Sequence, residues 1–195
     1  DPQGFWRAAA KDVAWIEEPQ TILDDSNPPF YNWFPDGLIN GCYNAVDRHV
    51  EACRGDATAI IYDSPITQTK RHISFAELQD EVARCAGMIA AHGVGYGDRV
   101  IIYMPMIPSA VIGMLACARI GAIHSVVFGG FAAAELAKRI DDATPKLILT
   151  ASCGIEPSRV VAYKPLLDEA IEMASHKPDA VILEQRPQAV AEMVE

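Results

Sequence analysis

The stretch VIIYMPMIPSAVIGMLACARIGAIHSVVFGGF, residues 100–131, decides the fold. Val100-Ile101-Ile102-Tyr103-Met104 is apolar without alternation, the pattern of a strand covered on both faces. Pro105 ends it, and Pro108 presets the first turn of a helix that runs through Val111, Met114, Leu115 and Ala118 to a stop at Gly121. A second apolar run, Ile123–Phe128, follows at once, and Gly129-Gly130 turns the chain into the helix-forming segment from Ala132 to Ala143. Strand, helix, strand, glycine turn and helix in this order is the grammar of a parallel sheet with crossover helices.

Outward toward the C-terminus the alternation continues. Lys146–Thr150 reads as a third strand, residues 152–163 as a loop, and Leu166, Leu167, Ala170 and Ile171 as one face of a helix. Ala180–Leu183 reads as a fourth strand, and the tail after Pro187 has a helical pattern. Outward toward the N-terminus, Ala59–Tyr62 and Arg71–Ile73 read as an antiparallel pair around a polar turn. Ser74 and Glu77 form a capping box that opens a helix with Phe75, Leu78, Val82, Cys85 and Ile89 on one face, stopping at Gly93. Leu38, Tyr43, Val46 and Val50 make a helical stripe ending near Cys53, with Gly55 as its stop.

Residues 1–38 differ. Phe5, Trp6, Ala9, Val13 and Ile16 recur at helical spacing, residues 24–29 break regular structure, and Phe30, Tyr31, Trp33 and Phe34 form an aromatic cluster closed by Pro35-Asp36-Gly37. This is an arm, and its aromatics are expected to be buried against something larger. The division expected is an N-terminal arm and helix over residues 1–56, then an α/β domain over residues 57–195.

The chain has 195 residues, enough to bury roughly 70% of its unfolded surface without staples. Its 16 basic and 26 acidic residues give a net charge of −10, which argues against a polyanion-binding surface, so no nucleic-acid partner is expected. Five cysteines without CxxC spacing point away from a disulfide framework or zinc site. A reducing interior, cytoplasm or mitochondrial matrix, is therefore expected, not secretion. No apolar run approaches the ~20 residues of a membrane span. The chain opens at Asp1 with no methionine, so its natural start is expected to have been removed or to lie outside it.

Ligands of open parallel sheets gather at the carboxyl ends of the strands. Two loops stand out there. Phe128-Gly129-Gly130-Phe131 follows a buried strand and precedes a helix: it is either a close-approach site for an anion or simply a turn needing positive φ. Gly154-Ile155-Glu156-Pro157-Ser158-Arg159 carries an always-charged guanidinium, which is either an anion fork or a solvated surface arginine. Gly93-Val94-Gly95-Tyr96-Gly97 follows a helix and precedes a strand, the reverse of a dinucleotide fingerprint, so a nicotinamide-dependent oxidoreductase is set aside. His124 reads as a satisfied core histidine, and His49 has no second ligand at metal spacing. No serine or cysteine comes with a recognisable base, and no catalytic residue is assigned.

Several stretches carry a family resemblance that covers nearly the whole chain. They are Trp33-Phe34 with Leu38-Ile39-Asn40, Tyr43–His49, Gly97–Val100 with Tyr103–Met106, and above all Ala116–Phe131. The chain resembles the N-terminal portion of AMP-forming acyl-CoA synthetases, in the acetyl-CoA and propionyl-CoA synthetase branch. Tyr62-Asp63-Ser64-Pro65 and Gly154–Arg159 look more like the propionate ligases. The resemblance implies the α/β N-terminal subdomain of the acyl-adenylate-forming (ANL) fold: a mostly parallel sheet with flanking helices, preceded by a helical or irregular arm. It implies a ligase whose substrates are a short-chain carboxylate, ATP and CoA, with Mg²⁺ accompanying ATP and no group held tightly by this segment.

In such enzymes the Phe-Gly-Gly turn and the loop ending in arginine contact the nucleotide end of CoA. Carried over, these are Phe128, Gly129, Gly130, Glu156, Pro157, Ser158 and Arg159. The acetate branch has two arginines in that loop, and the first corresponds here to Glu156, so one phosphate contact is lost or comes from elsewhere. The phosphate loop, adenine and acyl pockets and the domain with the catalytic lysine are expected beyond residue 195. The segment alone is thus expected to be inactive, with the rest of its polypeptide as partner and self-association through uncovered apolar surface. The alternative is a stand-alone, non-catalytic binding or interaction module of the same fold.

Overall fold

A strand that is apolar at consecutive positions sends side chains to both faces, and both must be covered. The computed structural model, which describes residues 1–193, satisfies this demand with helices on either side of one sheet. The chain begins with α1 (Pro2–Ala9) and the short strands β1 (Trp15–Glu17), β2 (Leu23–Asp24), β3 (Asn32–Trp33) and β4 (Leu38–Ile39). Two widened helical turns, Tyr43–Asp47 and Val50–Arg54, lead to the hairpin β5 (Thr58–Ser64) and β6 (Thr69–Ser74) and then α2 (Phe75–Ala91). The α/β layer follows with β7 (Arg99–Met104), α3 (Pro108–Ile120), β8 (Ile123–Phe128), α4 (Ala133–Ala143) and β9 (Leu147–Ala151). It ends with β10 (Cys153–Glu156), β11 (Arg159–Ala162), α5 (Tyr163–Met173) and β12 (Ala180–Glu184).

The main sheet is four parallel strands in the order β12-β9-β7-β8. Val100 and Ile102 of β7, with Leu147 and Leu149 of β9, face α2 and α3, where Leu78, Val82, Ile89 and Ala116 complete one core. Ile101, Tyr103 and Ile148 face the other way, onto Leu136, Ile140 and Leu167 of α4 and α5. Each such aliphatic side chain contributes on the order of 1.5–3 kcal/mol by leaving water. The central strand is fully covered, with Val100, Ile101, Ile102 and Tyr103 all at 0% exposure. The edge strand β8 leaves Ile123, Val126 and Phe128 exposed. His124, expected in the core, stands on that exposed edge.

The capping box forms as expected: the Ser74 hydroxyl accepts from the Glu77 N–H (3.2 Å), and the Glu77 carboxylate accepts from the Ser74 N–H (2.8 Å). Four expectations about secondary structure are corrected. The helix through Val13 and Ile16 stops at Ala9 and gives way to a tight turn, Ala10–Asp12, and to β1. Tertiary hydrogen bonds win there: the Asn44 side-chain amide takes both the N–H and the carbonyl of Ala14 at 2.9 Å, holding the chain extended. Leu38 pairs in β4 with β1 and does not open a helix. Residues 152–163 contain the hairpin β10–β11, in register from Cys153 opposite Ala162 to Glu156 opposite Arg159. The tail after Pro187 is not helical through residue 193, and residues 194–195 lie outside the described residues.

The aromatics of the arm are not buried. Phe30, Tyr31 and Trp33 are largely exposed, and so are Phe5 and Trp6 in α1, which packs Trp6 edge-on to Trp33 at 5.6 Å. Among residues 1–40 only Ile22 is buried. Among the described residues, no helix is long and apolar enough to cross a membrane.

Candidate functional site

Strand β7 connects through α3 to β8 on one side, while β9 connects through α5 to β12 on the other. The strand order therefore reverses between β7 and β9, and a crevice opens at their carboxyl ends. A cleft of about 440 Å³ lies there. All four parallel strands reach it at their carboxyl ends: Met104 and Pro105 at the end of β7, Phe128 and Gly129 at the end of β8, Gly154 and Glu156 in the hairpin after β9, and Arg186 after β12. The β5–β6 turn, with Tyr62 to Ile66, closes one side. The volume falls in the range of small-molecule sites.

Close approach explains two glycines. A Cβ on Gly129 would lie 2.9 Å from the Met104 carbonyl oxygen and would overlap the Tyr163 hydroxyl. A Cβ on Gly154 would lie 2.6 Å from Tyr163 Cζ. The Tyr163 ring is thus wedged against both glycine backbones, and it stacks on Tyr103 at 4.9 Å and 28°. The Tyr103 hydroxyl in turn donates to the Phe131 carbonyl at 3.1 Å. Two buried tyrosines therefore tie the glycine turn after β8 to the hairpin after β9. Burial pushes the Tyr163 phenol up to about 12, which keeps it protonated and a donor. Gly130 carries φ +117, a backbone that side chains with a Cβ rarely adopt, so the turn needs glycine there as well.

The sequence-predicted residues divide. Phe128, Gly129 and Glu156 share the wall of the cleft, whereas Gly130, Pro157, Ser158 and Arg159 stand just outside it in the same two turns. Phe128 is 71% exposed and offers an aromatic face at the mouth. Arg159 is exposed and its Nε donates to Glu156 Oε2 at 2.8 Å, so this cation and anion offset one another across the hairpin turn. The hydrogen bond to Glu156 raises the Arg159 guanidinium further above its ordinary range.

Three contributors escaped sequence reasoning in their roles: Gly154 and Tyr163 as a packed pair, and Arg186. Arg186 is about nine-tenths buried. Its Nη1 donates to the Cys153 carbonyl (2.9 Å), and its backbone N–H donates to the Ser152 hydroxyl (2.8 Å). A signal existed, since Arg186 follows the fourth apolar run as Arg159 follows the third.

Comparison with known proteins bears on this geometry. The AMP-binding enzyme family matches residues 46–194, and the family described as acetyl-coenzyme A synthetase N-terminus matches residues 1–45. An uncharacterized protein of Pseudomonas aeruginosa is 57% identical over 193 residues, which is 99% of this chain and 31% of that protein. The mitochondrial acyl-CoA synthetase short-chain family member 3 of Bos taurus is 53% identical over 187 residues, 96% of this chain and 27% of that protein. The acetyl-coenzyme A synthetase of Streptomyces coelicolor is 48% identical over 191 residues, 98% of this chain and 29% of that protein. The chain thus spans a little under a third of the length of these relatives. A doubly covered parallel sheet with its cleft at the strand ends, and family matches running through both segments, show that the chain belongs to the AMP-binding enzyme family and opens with the N-terminal segment of acetyl-coenzyme A synthetases.

Proposed function

We propose that this chain is the N-terminal portion of an AMP-forming acid–thiol ligase acting on a short carboxylate, acetate or propionate, and that its cleft receives the nucleotide end of CoA. One observation carries the reading: the Phe128-Gly129 turn and the Glu156 hairpin line a single cleft at the carboxyl edge of the sheet. In the ligase the carboxylate oxygen attacks the α-phosphorus of ATP, forming acyl-adenylate and releasing pyrophosphate. The CoA sulfur then attacks the acyl carbon, and AMP leaves. Residues of this segment bind and orient the thiol substrate. Phe128 supplies a stacking face for the base, since aromatic faces accept any base. Gly129 and Gly130 let backbone approach it, the Pro157-Ser158 turn shapes the rim, and Arg159, paired with Glu156, adds a minor charged contact at the exposed rim.

ATP, its Mg²⁺ and the carboxylate are assigned to the remainder of the polypeptide. Among the described residues no three metal-ligating side chains converge. The division into an arm and helix over residues 1–56 and an α/β part from residue 57 is retained as part of this proposal. So is a reducing compartment, cytoplasm or mitochondrial matrix, in keeping with five cysteines that are all free thiols.

The test uses the full-length polypeptide with acetate or propionate, ATP and CoA, following pyrophosphate and thioester. Turnover is expected from the full-length protein and none from the 195-residue segment alone. Carboxylate-dependent pyrophosphate release by the segment would overturn the division of labour. CoA binding without turnover by the full-length protein would favour the stand-alone binding module.

A further inference from the structure

We propose that Arg186 is the anion-binding residue of this cleft, holding a phosphate group of the CoA nucleotide end. The inference rests on the reading that CoA occupies the cleft, and it relocates the decisive charge within it.

The hairpin arginine is the obvious cation, but it is already spoken for. Arg159 is exposed and paired with Glu156 at 2.8 Å, so a phosphate arriving there must displace a carboxylate and compete with water. Such exposed pairs contribute little either way. Arg186 is the opposite case. The residue as a whole is about nine-tenths buried and lines the cleft. Among the described residues no carboxylate lies within ion-pair distance of it. One of its five donors is used on the Cys153 carbonyl.

The other charged groups on the cleft wall do not serve Arg186 as counter-ions. Glu156 is held by Arg159, and Asp63 lies 3.4 Å from Lys70. Tyr163, close to Arg186, stays a neutral phenol because burial opposes its ionisation. A cation removed from water without a counter-charge is unfavourable until an anion arrives, and a planar fork of donors suits the oxygens of a phosphate. Apolar side chains (Phe128, Met106, Ile66, Val161) make up much of the remaining wall, with Phe128, Met106 and Ile66 open to solvent at the mouth. The same guanidinium ties the hairpin to the end of β12, so ligand and scaffold meet at one side chain. It also supplies a positive charge that position 156, a glutamate, does not.

Two phosphates of CoA share this chemistry, the 3′-phosphate and the pyrophosphate bridge. The experiment compares wild-type, Arg186→Gln, Arg186→Lys and Arg159→Ala full-length protein with CoA and with dephospho-CoA. Glutamine keeps an N–H for the Cys153 carbonyl and removes the charge; lysine keeps the charge and loses the fork. For Arg186→Gln the KM for CoA is expected to rise about tenfold or more with kcat within about twofold, for Arg186→Lys less than about threefold. A penalty for Arg186→Gln that vanishes with dephospho-CoA assigns the 3′-phosphate; one that persists assigns the pyrophosphate.

An unchanged KM in Arg186→Gln overturns the proposal, as does an equal loss in both Arg186 variants accompanied by lower thermal stability, the signature of a purely structural clamp. Should Arg186→Gln fail to fold, Arg159→Ala decides. A loss there above about tenfold places the phosphate on the exposed arginine and overturns the proposal; a loss within about threefold supports Arg186. Absence of any CoA-dependent turnover or CoA binding in the wild-type protein fails the underlying reading instead, whatever the variants do.

Discussion

The arm and the parallel sheet both carry large apolar side chains and end in opposite states. In β7 the side chains of Val100 to Tyr103 are entirely out of contact with water. In the arm, Phe5, Phe30, Tyr31 and Trp33 remain largely in it. The sheet buries its apolar groups through units that close on themselves, each strand followed by the helix that covers it. The arm has two-residue strands, single aromatic contacts and a few hydrogen bonds to the segment that follows, such as Asn44 to Ala14 and Arg48 to the Asp12 carbonyl. Apolar composition thus sets how much surface needs covering, and local connectivity sets whether the chain covers it unaided.

The contrast can be broken most directly by truncation. Ile148→Ala, at a fully buried position of β9 facing α4 and α5, is expected to lower unfolding stability by about 2–5 kcal/mol, while Phe30→Ala in the arm changes it by less than about 0.5 kcal/mol. Denaturant midpoints at constant slope would measure both, and comparable losses would erase the distinction. A smaller effect is expected at the cleft floor. Gly154→Ala drives a methyl into the Tyr163 ring and should destabilise by about 1–3 kcal/mol, most of which disappears in a Tyr163→Ala background. Strict additivity of the two would mean that the ring does not set the requirement for glycine.

The arm's attachment sharpens the comparison at lower energy. Asn44→Ala removes both side-chain bonds to Ala14 and is expected to cost about 1–2 kcal/mol. Hydrogen–deuterium exchange should accelerate in residues 10–17 and remain unchanged in β7 and β9. Uniform acceleration would indicate that arm and sheet open together.

The least effect belongs to surface charge. The Lys146 ammonium, at 2.8 Å, and the Gly95 N–H hold the Asp98 carboxyl below its ordinary range. Likewise the Ser74 N–H and hydroxyl lower Glu77. Both folded-state values are depressed, so their stabilisation is complete above the ordinary carboxylate range of about 4 and is lost as pH falls through it and below. The melting temperature should decline from about pH 5 to about pH 3, and Asp98→Asn should make that decline shallower. An identical slope in the variant would remove Asp98 from the account.

Features that were legible in the sequence are those whose cause is near in the chain. Ser74 and Glu77 are one helical turn apart, so their reciprocal cap needs nothing else. The consecutive apolar residues of β7 demand cover on both faces wherever the strand sits. The same holds for part of the cleft: loops after strands in a parallel sheet arrive at one edge, which brings Phe128-Gly129 and Glu156 together. Misreadings came where a distant group intervened. Val13 and Ile16 kept helical spacing, but Asn44 claims the backbone of Ala14. Residues 152–163 read as a loop, yet Gly154 lies in a strand against Tyr163 and Pro157 turns a hairpin.

By itself, then, the amino-acid order determined the alternation of strands and helices, the double-sided core and the edge at which the cleft opens, because these follow from periodicity and from turns closed within a few residues. Tertiary structure alone decided which cation is neutralised and which, among the described residues, is buried without an ion-pair partner, since Arg159 meets Glu156 across a hairpin while Arg186 is buried against Ser152 and Cys153, more than thirty residues away in the chain. Burial and pairing of a charge depend on what surrounds it from all directions, and no local pattern encodes that.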